Sequence, residues 1–400
     1  MTVTKEHPHI AIAGGGFGGL YTALRLSQLP WDATCTPQIT LIDQRDRFLF
    51  APFLYELITG EMQTWEIAPP FEELLSGTGI RFQQSQVIGW DGEQQQIFLS
   101  GADPVNYDRL VIALGGSPAL PSIPGVKDYA LPFRTLEDAY RVRQKLRLLE
   151  QENPEKIRVA IVGGGYSGVE LACKISDRLG AKGRVRIIER GEKILSTSSD
   201  YNQQQAQKAL EKRQVWVDLT TEVSEIGEQS ISLLYKGQID TIPVDLVLWT
   251  VGNQVSDFLR SLPLPQNPQG RLQTNHFLQV EGHPEIYGIG DAAHHQDAGG
   301  KSVPMTAQVA FQQSDYCAWN LWASLRGRPL LPFRYQPLGE MLSLGLEDAT
   351  VSGLGLQLTG PGAVLARRLV YLYRFPTWQQ QLTVGMNWMM QPLLNLWERV

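Results

Sequence analysis

Short apolar runs, each closed by a glycine or an acid, recur along this chain. Ile10-Ala11-Ile12-Ala13 leads into Gly14, and Val159-Ala160-Ile161-Val162 leads into Gly163. Runs this short and uniformly apolar predict strands covered on both faces, as in a parallel sheet. A second run follows each at a helix's distance and ends in a carboxylate: Ile39-Thr40-Leu41-Ile42-Asp43, and Val185-Arg186-Ile187-Ile188-Glu189. Two more, Tyr107 to Gly116 and Asp245 to Gly252, end in glycine, with Gly115 and Gly252 at their turns. Ile286-Tyr287-Gly288-Ile289-Gly290-Asp291 adds a strand that delivers an acid to a helix. Proline clusters at Pro118, Pro121 and Pro124, and at Pro263, Pro265 and Pro268, mark linkers. The pattern predicts an α/β fold with two Rossmann-like dinucleotide-binding domains. The first comprises residues 1–124 and 265–334, the second is inserted as 125–264, and 335–400 form a C-terminal segment.

The two strand-to-helix turns carry the chemistry. The first holds Gly14, Gly16, Phe17, Gly18 and Gly19; the second holds Gly163, Gly165, Tyr166, Ser167 and Gly168. In such a fingerprint the first glycine makes the tight turn and the second lets backbone approach a pyrophosphate. The third packs helix on strand, and the phosphates sit at the helix N-terminus. Asp43 and Glu189 stand where a carboxylate bonds ribose hydroxyls, somewhat beyond the usual ~20-residue interval. One such turn is also compatible with an ordinary parallel sheet. Two in one chain imply a flavin and a nicotinamide exchanging a hydride.

Composition narrows the class. The 400 residues are 43% hydrophobic and 19% charged, as in a globular protein, and the net charge of −6 argues against a nucleic-acid partner. From Arg326 onward there are seven arginines against four acids, so a basic tail follows an acidic body, compatible with an anionic membrane surface or with scattered surface arginines. Cys35, Cys173 and Cys317 form no C-x-x-C, which removes dithiol flavoenzyme chemistry. His294-His295 and the other histidines lack ligand spacing, so no metal is expected. The start of the chain shows no signal-peptide core, and no apolar run reaches the ~18 residues of a transmembrane helix.

The order of these pieces resembles the two-dinucleotide flavoprotein reductases. That resemblance implies FAD in the first domain, NADH or NADPH in the insert, and Asp291 against the ribityl–phosphate part of FAD. Pro52, in the aromatic-rich loop from Arg47 to Tyr55, is a further cofactor-binding candidate. Ala113-Leu114-Gly115 departs from the family's usual Ala-Thr-Gly and loses one hydroxyl contact. Thr306-Ala307-Gln308-Val309-Ala310-Phe311-Gln312-Gln313 resembles the Ala-Gln-x-Ala-x-Gln helix of type II NAD(P)H:quinone oxidoreductases, where the glutamines line the flavin and quinone site. Gln308 and Gln312 share one helix face, which in the plainer alternative is simply solvated. Glu170, in Tyr166-Ser167-Gly168-Val169-Glu170, matches the same family; it either faces the flavin as a catalytic acid or is a first-turn acid stabilised by the helix dipole. Asp43 to Phe53, Met62 to Pro70 and Tyr371 to Trp378 look most like the branch in oxygenic phototrophs, which implies a naphthoquinone precursor of phylloquinone as substrate. Two rivals share the fold or its ligands: a sulfide:quinone reductase, which needs paired redox cysteines, and a low-turnover NAD(P)H-binding redox sensor.

The C-terminus continues this picture. Apolar residues flank Arg367-Arg368, and Met386, Met389, Met390, Leu393, Leu394 and Trp397 recur at helical spacing. Asn387, Gln391, Asn395 and Glu398 fall on the other side, and Pro392 predicts a kink or break. Such a segment either lies in a bilayer interface or docks a homodimer, and both can hold at once. Peripheral attachment, at a cytoplasmic face or a thylakoid, is the expectation, with Arg367, Arg368 and Arg374 drawn to anionic lipid.

Overall fold

The computed structural model describes residues 7–32, 36–118, 120–152 and 154–397, with the side chains of 391–397 left aside. The chain forms two compact units. One comprises Met1–Leu49, Ala68–Ser117 and Asn253–Gln336, and the other Phe50–Ile67, Pro118–Gly252 and Pro337–Val400. Phe50–Ile67, expected with the first domain, thus groups with the inserted one, and the C-terminal segment joins it there.

In the first unit six strands make one sheet, in the order Gln279–Val280, His283–Gly288, Arg109–Ile112, His9–Ala13, Gln38–Asp43 and Arg81–Gln84. All neighbours are parallel except the first pair. Ile10, Ala11 and Ile12 are fully buried, which is what an unbroken apolar run at the centre of a two-sided sheet requires. The Phe17–Gln28 helix packs against the Ala307–Leu325 helix, with Tyr21 meeting Phe311 edge to face at 4.8 Å.

The second unit repeats the arrangement. Its parallel sheet runs Trp216–Asp218, Gly183–Ile188, Ile157–Val162, Leu246–Trp249 and Ala130–Pro132. In both sheets the strand entering the glycine turn lies between the acid-ending strand and a later glycine-ending strand, in matched parallel register. This places each acid beside its own turn.

A three-stranded antiparallel sheet, Glu340–Ser343, Ala349–Gly353 and Leu356–Thr359, leads into helices Gly360–Tyr373 and Trp378–Trp397. Of the kink or break expected at Pro392, the break does not occur: one helix runs from Trp378 to Trp397. Proline forfeits one intrahelical bond, and the turns on either side carry the helix across that loss. The side chains of Gln391, Leu393, Leu394, Asn395 and Trp397, and Glu398 altogether, lie outside the described residues. Among the described residues no helix is long and apolar enough to cross a membrane.

Candidate active site

In the first unit Gly14 has φ +105°, and a Cβ there would overlap the Ala113 carbonyl. Gly19 is packed just as tightly on the Gly14 carbonyl. Gly16 differs: a Cβ there meets nothing within 4 Å, so this backbone is open to an approaching ligand. Gly16 also caps the Phe17–Gln28 helix without a side-chain bond, and no acid stands in that first turn. The helix's unpaired N–H groups and positive end are left for an anion. Asp43 Oδ2 accepts the Gly15 N–H at 2.7 Å and Oδ1 that of Arg45 at 2.9 Å, fixing the carboxylate beside the open turn. Gly18 packs on Ile289, and two residues further Asp291 accepts the Asn253 amide at 2.8 Å. Gly115 makes a left-handed turn after the Arg109–Ile112 strand.

The second unit builds the same cradle. Gly163 overlays the role of Gly14 with φ +111°, Gly168 abuts the Gly163 carbonyl, and Gly165 is open. Glu189 Oε2 accepts the Gly164 N–H and Oε1 that of Gly191, each at 2.7 Å. Gly252 turns the chain after Leu246–Trp249. Tyr166 and Ser167 open the Tyr166–Leu179 helix, and Ser167 Oγ lies 2.9 Å from the Tyr55 hydroxyl. An open glycine, an uncapped helix end and an oriented carboxylate fit a dinucleotide in each unit.

Beyond the second cradle lies a buried charge cluster. Glu170 is in the second turn of its helix, so the dipole account of a first-turn acid does not apply. Its Oε1 accepts the Ser343 N–H at 2.8 Å, with Arg367 Nη2 3.9 Å away. Burial pushes the Glu170 carboxyl up to about 7 against the pull of Arg367. Arg367 is 4% exposed, donates to Glu56 Oε1 and to the Pro52 carbonyl, both at 2.6 Å, and lies over the Phe53 and Tyr371 rings. Lys174, 1% exposed, bonds Glu61 and stands 3.9 Å from Glu56. Burial alone would raise Glu56, but Arg367 and Lys174 hold it below the usual carboxylate range. Pro52 therefore belongs to this cluster in the second unit, while Gly14 and Asp43 lie in the first.

The glutamine helix is not simply solvated, as the plainer alternative had it. Gln308 Oε1 accepts the Tyr335 hydroxyl at 2.8 Å, and the Gln312 amide makes two bonds to the Gln336 backbone, at 2.8 and 3.1 Å. One helix face is thus tied to the segment 335–336. The neighbouring Gln313 is fully buried and accepts the Gly290 N–H at 2.7 Å, one residue before Asp291.

The C-terminal helices are amphipathic in reverse. In Gly360–Tyr373 the buried face carries Ala363 and Arg367, while Leu365, Leu369 and Tyr373 are exposed. In Trp378–Trp397 the inner face carries Val384, with Gln380, Asn387 and Trp388 all bonded to Glu66. Trp378, Leu382, Met386, Met389 and Met390 point outward. Arg367, expected to meet lipid, instead holds Glu56 inside. Cys173 and Cys317 are buried, burial raising both thiols and taking Cys173 to about 12, so neither is a nucleophile near neutrality. Cys35 lies outside the described residues. No metal-ligating group of side chains occurs among the described residues.

Residues 8–314 match the family model described as pyridine nucleotide-disulphide oxidoreductase. The chain is 61% identical over 395 residues to a demethylphylloquinone reductase of Synechocystis sp., covering 98% of each protein. It is 43% identical to an alternative NAD(P)H-ubiquinone oxidoreductase C1 of Arabidopsis thaliana, covering 96% of this chain and 81% of that one. The chain belongs to the type II NAD(P)H:quinone oxidoreductases. Among solved structures it is similar to NDH2 from Plasmodium falciparum in complex with NADH, with a TM-score of 0.86, 19% identity, and 97% and 98% of the two chains covered. At that identity the likeness concerns the fold.

As a member of this oxidoreductase family the chain takes FAD and NAD(P)H as cofactors. Sequence reasoning missed the residues around Glu170: Glu56, Lys174 and Arg367, with Tyr55 and Glu66 nearby in the same unit. It also missed Asn253 and Gln313 beside Asp291. The one available signal was Arg367-Arg368 inside an apolar run, read as lipid-facing because amphipathic helices ordinarily bury their apolar side.

Proposed function

We propose that this enzyme oxidises NAD(P)H and reduces a naphthoquinone of the demethylphylloquinone type, ahead of a ring methylation that leads to phylloquinone. The observation that carries this reading is the 61% identity, over nearly the whole chain, to a demethylphylloquinone reductase, with both dinucleotide cradles intact. FAD, when bound, would supply at N5 the acceptor for the nicotinamide hydride and then the two electrons for quinone, chemistry that belongs to the cofactor. The protein's part is to bind, orient and manage protons. Gly16 and Gly165 admit the two pyrophosphates, and Asp43 and Glu189 meet the riboses. Asp291 meets the flavin's ribityl–phosphate. Glu170 holds a proton near neutrality in a dry setting and delivers it to the quinone oxygen, while Arg367 fixes Glu170 and limits how far its affinity rises. Gln308 and Gln312, braced by 335–336, line the acceptor side.

The outward rows of the two C-terminal helices support a peripheral membrane position, where a long-tailed quinone partitions; a thylakoid or a cytoplasmic membrane face suits it. A homodimer through the same face is the alternative, and sizing beside vesicle sedimentation separates the two. A sulfide:quinone reductase is disfavoured by the buried thiols of Cys173 and Cys317 and by the complete second cradle with Glu189. Steady-state turnover with NADH and NADPH against naphthoquinones, benzoquinones and sulfide tests the proposal. Preference for naphthoquinones supports it; sulfide oxidation without nicotinamide, or NAD(P)H binding without turnover, overturns it.

A further inference from the structure

The loop after the Glu189 strand, residues 190–199, folds back over the second glycine turn. Leu195 N–H donates to the Gly164 carbonyl at 2.8 Å, and Ile194 leaves no room for a side chain at Gly164. On the function proposed above, this loop is one wall of the nicotinamide-dinucleotide crevice. Its far end is held by a residue from the C-terminal sheet, well over a hundred positions later in the chain.

That residue is Glu340. Its Oε2 accepts from Ser198 Oγ at 2.5 Å, Asn202 Nδ2 at 2.6 Å, the Ser199 N–H at 3.2 Å and Ser199 Oγ at 3.4 Å. The hydroxyl of Tyr166, the residue after Gly165, faces the same group: burial, with the Glu340 charge beside it, pushes this phenol up to about 12. Asn202 is fully buried and donates a second bond to Ser352 Oγ at 2.9 Å, on the strand that pairs Glu340 with Ser352. The strands come this close because Gly339 and Gly353 face each other, and a Cβ on either would overlap the other's backbone. Burial would raise the Glu340 carboxyl, but these donors hold it below the usual range, so it remains an acceptor through neutral pH.

A carboxylate beside a phosphate site repels the ligand less when neutral donors spread and orient its charge. Here one oxygen collects donors from the ribose loop, Ser198 and Ser199, and from Asn202 just beyond it, with Tyr166 of the glycine turn in electrostatic reach. We propose that Glu340 is a positioning residue for NAD(P)H, clamping the ribose loop to the first turn of the pyrophosphate-binding helix. The C-terminal sheet is thereby part of the coenzyme site.

The test uses the FAD-loaded, full-length enzyme, with NADH affinity from titration calorimetry beside steady-state kinetics. Glu340→Ala should raise the NADH Kd and KM about tenfold, the size of one lost charge-assisted hydrogen bond. Its kcat and quinone KM should stay within about twofold, since the clamp touches neither flavin nor quinone. Glu340→Gln, which keeps length and one acceptor oxygen, should recover part of the affinity. Glu347→Gln, exposed in the turn between two strands of that sheet, should change nothing. If Glu340→Ala does not fold, Ser198→Ala, which removes a single donor, should still weaken NADH several-fold. Wild-type NADH affinity in these variants, or equal losses for NADH and quinone, overturns the inference. Wild-type enzyme that binds no NADH at all would instead remove the function on which it rests.

Discussion

The Glu66 carboxylate, fully buried, accepts the Trp388 indole N–H at 2.9 Å. The same oxygen accepts the Asn387 amide at 3.0 Å, and the other accepts the Gln63 N–H at 2.5 Å. The polar side of the last helix thus packs on protein and its methionines point away. Losing one donor leaves a buried carboxylate short of a partner, so Trp388→Phe should cost about 1–3 kcal/mol in denaturant unfolding. A cost near zero would mean that this contact does not hold the helix.

Removing the chain from Gly385 onward takes away Met386, Met389 and Met390 together with Asn387 and Trp388. Binding to anionic vesicles should fall at least about tenfold, and turnover of a vesicle-embedded long-tailed quinone should collapse with it. Activity with a water-soluble quinone should largely persist. Arg368 and Arg374 remain to draw the protein to anionic lipid at roughly 1 kcal/mol each, while Arg367 is committed to Glu56, so salt should weaken binding without abolishing it. Undiminished vesicle binding after truncation would sink the anchor reading, and a shift from dimer to monomer would support the alternative.

Glu189 already orients its carboxylate through Gly164 and Gly191. Ribose hydroxyls suit it and a 2′-phosphate does not, although the adjoining Arg190 softens the preference. Glu189→Gln should raise the NADPH/NADH ratio of kcat/KM by about tenfold. An unchanged ratio would show that this residue does not read the ribose.

Glu170 binds its proton more tightly folded, at about 7, than an ordinary carboxyl of 4.5. Between those values the folded state holds more protons than the unfolded one, so its contribution to stability falls as pH rises through that window. Quinone reduction by wild-type enzyme should decline above about pH 7, whereas Glu170→Gln should be slow throughout and lack that limb. The variant should also lose less stability than wild type between pH 5 and 8. Identical pH profiles for the two proteins would remove Glu170 from the proton path.

Gln308→Ala and Gln312→Ala should slow reoxidation of the flavin by quinone more than its reduction by NADH, as resolved by stopped flow. Gln312→Ala also gives up two backbone bonds to Gln336 and should lose about 1–2 kcal/mol of stability. Equal slowing of both half-reactions would point to general damage around the flavin.

Much of this protein was legible in the sequence because it depends on local rules. A buried parallel strand must be apolar, a turn under a pyrophosphate must be glycine, and a ribose needs a carboxylate at the next strand's end. Gly14 to Asp43 and Gly163 to Glu189 therefore announced the two sheets and their cradles, and the glutamine motif near Asp291 announced the family. What the sequence did not reveal is long-range. Glu56, Glu66 and Lys174 carry no local pattern, and Glu170 had a motif but no visible partner, since a charge inside the fold is defined only by the partner that neutralises it. Arg367 read as a lipid-facing cation until its Glu56 partner appeared, and Glu340 was only one acid in a charge count until Ser198 and Asn202 converged on it. Periodicity located the apolar row of the last helix, but only the tertiary structure decided that Met386, Met389 and Met390 face outward, because the helix's polar side satisfies the buried Glu66.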